Sequence, residues 1–133
     1  MTTLAAALLA AFVAATSSGP APAVTAHSSS FGRILFDGRG FALYAFTSDP
    51  RGRSTCSGAC AAAWPPYLVS AKPTGKLVGT TRRPDGKLQV TYAGRPLYYY
   101  VGDRKPGQIL CQNVREYGGL WLVVRPSGAL VRQ

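Results

Sequence analysis

Histidine is nearly absent from this chain. One imidazole, His27, occurs in 133 residues. A Ser-His-Asp triad, or a zinc site of three cysteines and a histidine, would have to use that one residue. Acidic side chains are scarce as well, five Asp and Glu against 15 Lys and Arg. No glycine-rich phosphate loop opens a helix, since Gly38 and Gly40 sit between strand-like runs. No apolar run approaches the ~20 residues a bilayer requires. The longest, Leu4 to Ala15, has the length of a signal-peptide core. The first 30 residues carry no charged side chain, and Met1-Thr2-Thr3 adds no Lys or Arg ahead of the apolar run.

Small-x-small cleavage patterns follow at Ala21-Pro22-Ala23 and Val24-Thr25-Ala26. The reading adopted is a signal peptide over 1–26, a flexible leader over 27–30, and one secreted domain over 31–133. The whole net charge of +10 then falls on that domain. A positive field of this size attracts polyanions. Its basic residues are scattered, and no recognised nucleic-acid motif accompanies them, so nucleic acid is not the expected partner. Anionic wall polymers or glycans fit an exported cationic domain better.

Three cysteines, Cys56, Cys60 and Cys111, make an odd number for an oxidising compartment. Cys56 and Cys60 lie four apart at the start of a helical stretch, Ser57 to Trp64, and are expected to form a disulfide. Bridges to Cys111 are alternatives. A redox or copper site at Cys56-x-x-x-Cys60 is the runner-up function. No cofactor is required by any motif, and no enzyme activity is expected.

What is abundant is repetition. Tyr44-Ala45-Phe46-Thr47-Ser48-Asp49 recurs as Tyr98-Tyr99-Tyr100-Val101-Gly102-Asp103, with Gly40 matching Gly94 and Leu43 matching Leu97. Two copies of one unit imply one supersecondary element used twice. Around the copies, apolar runs alternate with Gly and Pro turns. Hairpins are expected over 33–46, 87–100 and 120–131. The fold class is therefore all-β, mostly antiparallel hairpins in two related units, with one short helix. Alternation along a strand places Tyr44 and Phe46 on one face, Tyr98 and Tyr100 likewise, and Leu43 and Leu97 on the other. Asp49 and Asp103 fall just past the strands and read as turn residues rather than a glycosidase pair. Tyr44, Phe46, Trp64 and Trp121 read as core. Tyr98, Tyr99 and Tyr100 must put rings on both faces, which makes them, with Trp64, the candidate glycan-stacking residues.

Leu43 to Asp49, Cys56-Ser57-Gly58-Ala59-Cys60-Ala61, Trp64-Pro65-Pro66, Pro84-Asp85-Gly86, Gln89-Val90-Thr91-Tyr92, Gly94-x-Pro96-Leu97-Tyr98-Tyr99 and Gly118-Gly119-Leu120-Trp121 together resemble a known bacterial family. That family is the secreted repeat of unknown function, or predicted lipoproteins with a Tyr-x-aromatic-x-x-Asp motif. The resemblance covers residues 31 to 132 and implies an exported envelope protein, secreted or envelope-associated. It brings no activity, cofactor or binding residues. Two departures stand out. No cysteine precedes Cys56 to take an N-terminal lipid, and Cys111 interrupts a stretch, Gln108 to Asn113, that is Gly-rich in relatives.

Overall fold

Ala93 and Gly94 both have positive φ, 50° and 80°. This is the signature of the tight turn whose twist matches a right-handed hairpin. They connect β6 (Leu88–Tyr92) to β7 (Arg95–Tyr98), and β5 (Val78–Arg82) lies along the other edge of β6. In the computed structural model, which describes residues 10, 11, 13 and 23–133, this three-stranded meander is the second copy of the repeat. The rest of the Leu4–Ala15 run, and the small-residue segment up to Pro22, lie outside the described residues.

The first copy has the same plan. β1 (Val24–Ser29) pairs with β2 (Gly32–Asp37), and the chain returns through the Phe36–Ala42 bridge into β3 (Tyr44–Phe46). β1 contains His27, Ser28 and Ser29, which the sequence reading assigned to a flexible leader. Likewise β5 lies outside all three expected hairpins. Both strands are short of large apolar residues, which is why alternation did not reveal them. The helix α1 is shorter than expected, Ala59–Ala63, because Gly58 (φ 59°, ψ −126°) precedes it and Pro65-Pro66 cannot continue it.

The copies meet through β3 and β7, which run antiparallel with Tyr44 opposite Tyr98. Each copy then hands its last strand to the other. β4 (Leu68–Val69), from the first copy, pairs with β6 of the second. β9 (Gly119–Val123), from the second copy, pairs with β3 of the first. A short outer strand, β8 (Val114–Glu116), completes the sheet beside β9. The resulting order is β4-β6-β7-β3-β9-β8, with β5 on β6.

Alternation divides the core as the sequence implied. One cluster holds Tyr44, Phe46, Tyr98, Trp64 and Trp121, beneath α1 and the disulfide-bonded loop. The other holds Leu35, Leu43, Ala45, Val90 and Leu97, with Val24, Ala26 and Tyr67 packed against it. Trp64 and Trp121 are fully buried and stack with centroids 4.2 Å apart. Each such ring removes ~200 Å² from water, roughly 5 kcal/mol of transfer free energy.

Candidate functional site

The repeat motif converges on two hydrogen bonds that cross between copies, one buried and one part-buried. Tyr44 Oη donates to Asp103 Oδ2 at 2.7 Å. Tyr98 Oη donates to Asp49 Oδ2 at 2.6 Å. The second oxygen of each carboxylate holds a loop of its own copy. Asp49 Oδ1 accepts from Thr55 N and Thr55 Oγ1, both at 2.7 Å, and Asp103 Oδ1 accepts from Leu110 N at 2.9 Å. Each aspartate is therefore a loop anchor, as a turn residue would be, and also an inter-copy bond. Burial pushes the Asp103 carboxyl above its usual range, and the bonds from Tyr44 and Leu110 recover only part of that. Burial, then the Asp103 bond, raises the Tyr44 hydroxyl far above the usual phenol range.

A charged residue that sequence composition assigns to the surface lies behind Tyr98. Arg83 is 7% exposed and donates to Ser54 Oγ, Gln89 Oε1 and Cys56 O, at 2.8, 2.8 and 2.7 Å. Ser54 Oγ in turn lies 2.6 Å from Tyr98 Oη, so Arg83 is linked to Asp49 through two hydroxyls. The fully buried Gln89 closes the chain on Leu97 O. Buried polar chains satisfied at every member rigidify a core. No sequence signal marked Arg83, beyond its neighbouring turn Pro84-Asp85-Gly86.

Cys56 and Cys60 form the expected disulfide, with Cα atoms 5.3 Å apart. Both are buried, and Cys111 is a free buried thiol in the same core cluster. Burial raises the Cys111 thiol above its ordinary value, leaving less of the reactive thiolate. His27, the imidazole a copper site would recruit, lies tilted against Phe36 with centroids 5.7 Å apart. Among the described residues no three His, Cys, Asp or Glu side chains converge in a metal-binding group.

The candidate stacking residues separate. Tyr98 and Trp64 are fully buried and offer no face to a ligand. Trp64 instead bonds Glu116 Oε2 through Nε1 at 2.9 Å. Tyr100 is half-buried, tilted against Trp64 at 4.9 Å. Tyr99, one residue out of phase, emerges on the opposite face. There it lines a groove of about 430 Å³ with Asp37, Arg39, Tyr67 and Leu68. Tyr67 and Tyr99 rings lie 5.3 Å apart. Leu68, 40% exposed, also lines an adjoining groove of about 500 Å³ that carries Val69, Arg82 and Lys87.

Asp37 organises the first groove. Burial raises its carboxyl, but donors from Phe41 N, Tyr99 Oη and Arg39 outweigh this, and its pKa is lowered. The Arg39 guanidinium pairs with Asp37 at 3.1 Å while its side chain stays 69% exposed. It also lies over the Phe41 ring at 4.6 Å and the Tyr99 ring at 5.8 Å. Cation–π contacts of this kind hold a guanidinium flat against a ring and leave its outer edge wet. The floor is aromatic and aliphatic, and the rim carries Arg39, Arg82 and Lys87.

A family model described as a secreted repeat of unknown function matches the chain twice, over residues 25–67 and 79–125. The two matches begin 54 positions apart, the spacing that relates Tyr44 to Tyr98. No curated protein and no solved structure matches the chain.

Proposed function

We propose that this chain, which belongs to the secreted repeat family of unknown function, is an exported, non-enzymatic module that binds an anionic wall polymer or glycan. The observation that carries the reading is the pair of grooves joined at Leu68, with Tyr67 and Tyr99 on the floor and Arg39, Arg82 and Lys87 at the rim. Aromatic faces accept sugar rings by stacking, and guanidinium groups accept carboxylate or phosphate in forked pairs. The net charge of +10 adds long-range attraction to such a polymer. The cystine staple and the crossed tyrosines are scaffold in this reading.

Retention of the purified protein on isolated cell walls tests it. Retention is expected at low salt and lost as screening shortens the reach of the charges. The triple variant Arg39→Ala/Arg82→Ala/Lys87→Ala should elute at clearly lower salt than Arg53→Ala/Arg104→Ala/Arg115→Ala, which removes equal charge elsewhere. Identical elution of the two variants would reduce the interaction to bulk charge and remove the groove from it.

A further inference from the structure

Away from the grooves, Arg51 and Arg95 meet at one turn without a counterion, and the charge of Arg132 acts on Arg95 there. Arg95 opens β7 directly after the Ala93–Gly94 turn. Arg51, in the loop beyond β3, donates to Ala93 O and rests on Gly94, whose missing Cβ would stand 3.4 Å from the Arg51 Nη1 atom. Gly52 N bonds Gly94 O at 2.7 Å, which clamps that loop to the turn. The segment leading to Arg132 passes the same turn at Gly128. Gly128 approaches the Ala93 methyl so closely that an added Cβ would meet it at 2.6 Å, and Val131 N bonds Val123 O at 3.0 Å.

Arg95 Nε is the one buried side-chain nitrogen or oxygen among the described residues with no hydrogen-bond partner. Arg95 as a whole is half-buried, whereas the buried Arg83 guanidinium has three acceptors. Burial and the charges of Arg51 and Arg132 push the Arg95 guanidinium below its ordinary pKa. None of the five acidic residues relieves this. Asp37 is held by Arg39 and Tyr99, Asp49 by Tyr98, Asp103 by Tyr44, Glu116 by Trp64, and Asp85 by its own turn at Lys87 N. The one ion pair among the described residues is Arg39–Asp37.

We propose that Arg95, with Arg51 and Arg132, forms a binding site for a phosphate-class oxyanion. An unpaired Nε–H beside two further guanidinium groups supplies forked donors and positive charge, the chemistry that recognises phosphate. A bound oxyanion would satisfy the orphaned donor and cancel the mutual repulsion. The site is separate from the grooves joined at Leu68 and stands whether or not they bind polymer.

Side-chain Nε–Hε signals in a ¹⁵N-labelled sample of the whole protein report on this directly. Titration with inorganic phosphate, at ionic strength held constant with chloride, should move the Arg95 signal to saturation. Arg95→Gln and Arg132→Gln should each weaken phosphate binding by about tenfold or more, the loss of one charge-assisted pair. Arg104→Ala/Arg115→Ala, which removes two charges elsewhere, should leave the Arg95 response unchanged. Arg132→Gln lies near the chain end and keeps the test open should Arg95→Gln fold poorly. A second arm substitutes short poly(glycerol phosphate) for inorganic phosphate. Movement of Arg95 by both assigns the site to a phosphodiester polymer as well, and movement by inorganic phosphate alone assigns it to the free ion. An Arg95 signal unmoved by phosphate, or unweakened binding in both glutamine variants, would overturn the proposal.

Discussion

Tyr44 in one copy of the repeat donates its hydroxyl to Asp103 in the other, 59 positions away and 2.7 Å distant. Tyr98 repays the contact to Asp49 at 2.6 Å, and the two tyrosines face each other across β3 and β7. The Tyr-x-aromatic-x-x-Asp motif is thus completed only between copies. The same exchange governs the strands, since β4 pairs into the second copy and β9 into the first. Neither copy holds the hydrogen-bond partner of its own motif tyrosine.

Removing one hydroxyl should therefore hurt more than a surface change and should couple to the other copy. Tyr44→Phe leaves Oδ2 of the 7%-exposed Asp103 without its donor, while Oδ1 keeps Leu110 N. The expected cost is about 1–3 kcal/mol, the penalty for an unsatisfied buried acceptor. Tyr98→Phe leaves the half-buried Asp49 with two donors from Thr55 and should cost less. Because the tyrosines are cross-strand neighbours, the double variant should depart from additivity by about 0.5 kcal/mol or more. Urea unfolding of the four proteins measures this, and strict additivity would mean that the two bonds form independently.

The pH dependence of stability should carry opposite signatures from two aspartates. Asp37 has a pKa lowered from 3.8, so its contribution is present above that value and fades as pH falls through the folded pKa. Asp103 has a pKa raised from 3.8, so its contribution is present below that value and fades as pH rises through the folded pKa. Relative to the parent, Asp37→Asn should lose ground as pH rises from acid towards neutral. Asp103→Asn should gain ground over the same interval. Unfolding free energies at a series of pH values check both slopes, and parallel slopes would contradict the burial argument for Asp103.

Much of this core was legible because a strand has a period of two. Leu43, Tyr44, Ala45 and Phe46 alternate between the aliphatic and aromatic clusters as that period requires. Periodicity gives a face but not a partner, so the crossing of Tyr44 to Asp103 was not readable. Nor was the burial of Arg83, since arginine is ordinarily exposed and its three acceptors come from distant segments. The missed strands β1 and β5 were within reach. Val24 and Val78 stand at the same spacing as Tyr44 and Tyr98, so extending the repeat backward locates both strands. Tyr99 was legible only as one of three adjacent rings. The shift that puts it in a groove, while Tyr98 is buried, follows from which strand face the aromatic cluster occupies.

Reduction should separate the three cysteines by accessibility. Closing the short loop between Cys56 and Cys60 contributes about 2 kcal/mol by the chain-entropy relation. Cys56→Ser/Cys60→Ser should lower stability by that order and leave the sheet order intact, because no strand pairing runs through the loop. Cys111, buried against the same cluster, should resist alkylation in the native protein and react once unfolded. Intact mass after native and denaturing alkylation reads one modifiable thiol only in the second case. Rapid native labelling would show that the 101–112 loop opens readily.

Strand β1 bears on where an export leader would be cut. Cleavage after Ala26, the site first favoured, would remove Val24, Thr25 and Ala26, which pair with Asp37, Phe36 and Leu35. It would also take Val24 and Ala26 from the aliphatic cluster they pack against. Cleavage after Ala23, at the other small-x-small pattern, keeps all six β1 pairs. It costs the fold one visible contact, the 2.7 Å bond from Tyr67 Oη to Ala23 O. That loss frees a phenol donor in the groove beside Tyr99, and the new amino terminus at Val24 stands opposite Asp37 on β2. The exported protein should therefore begin at Val24, and N-terminal sequencing decides. A start at His27 would mean that β1 forms from three residues alone, and the protein should then be measurably less stable than one beginning at Val24.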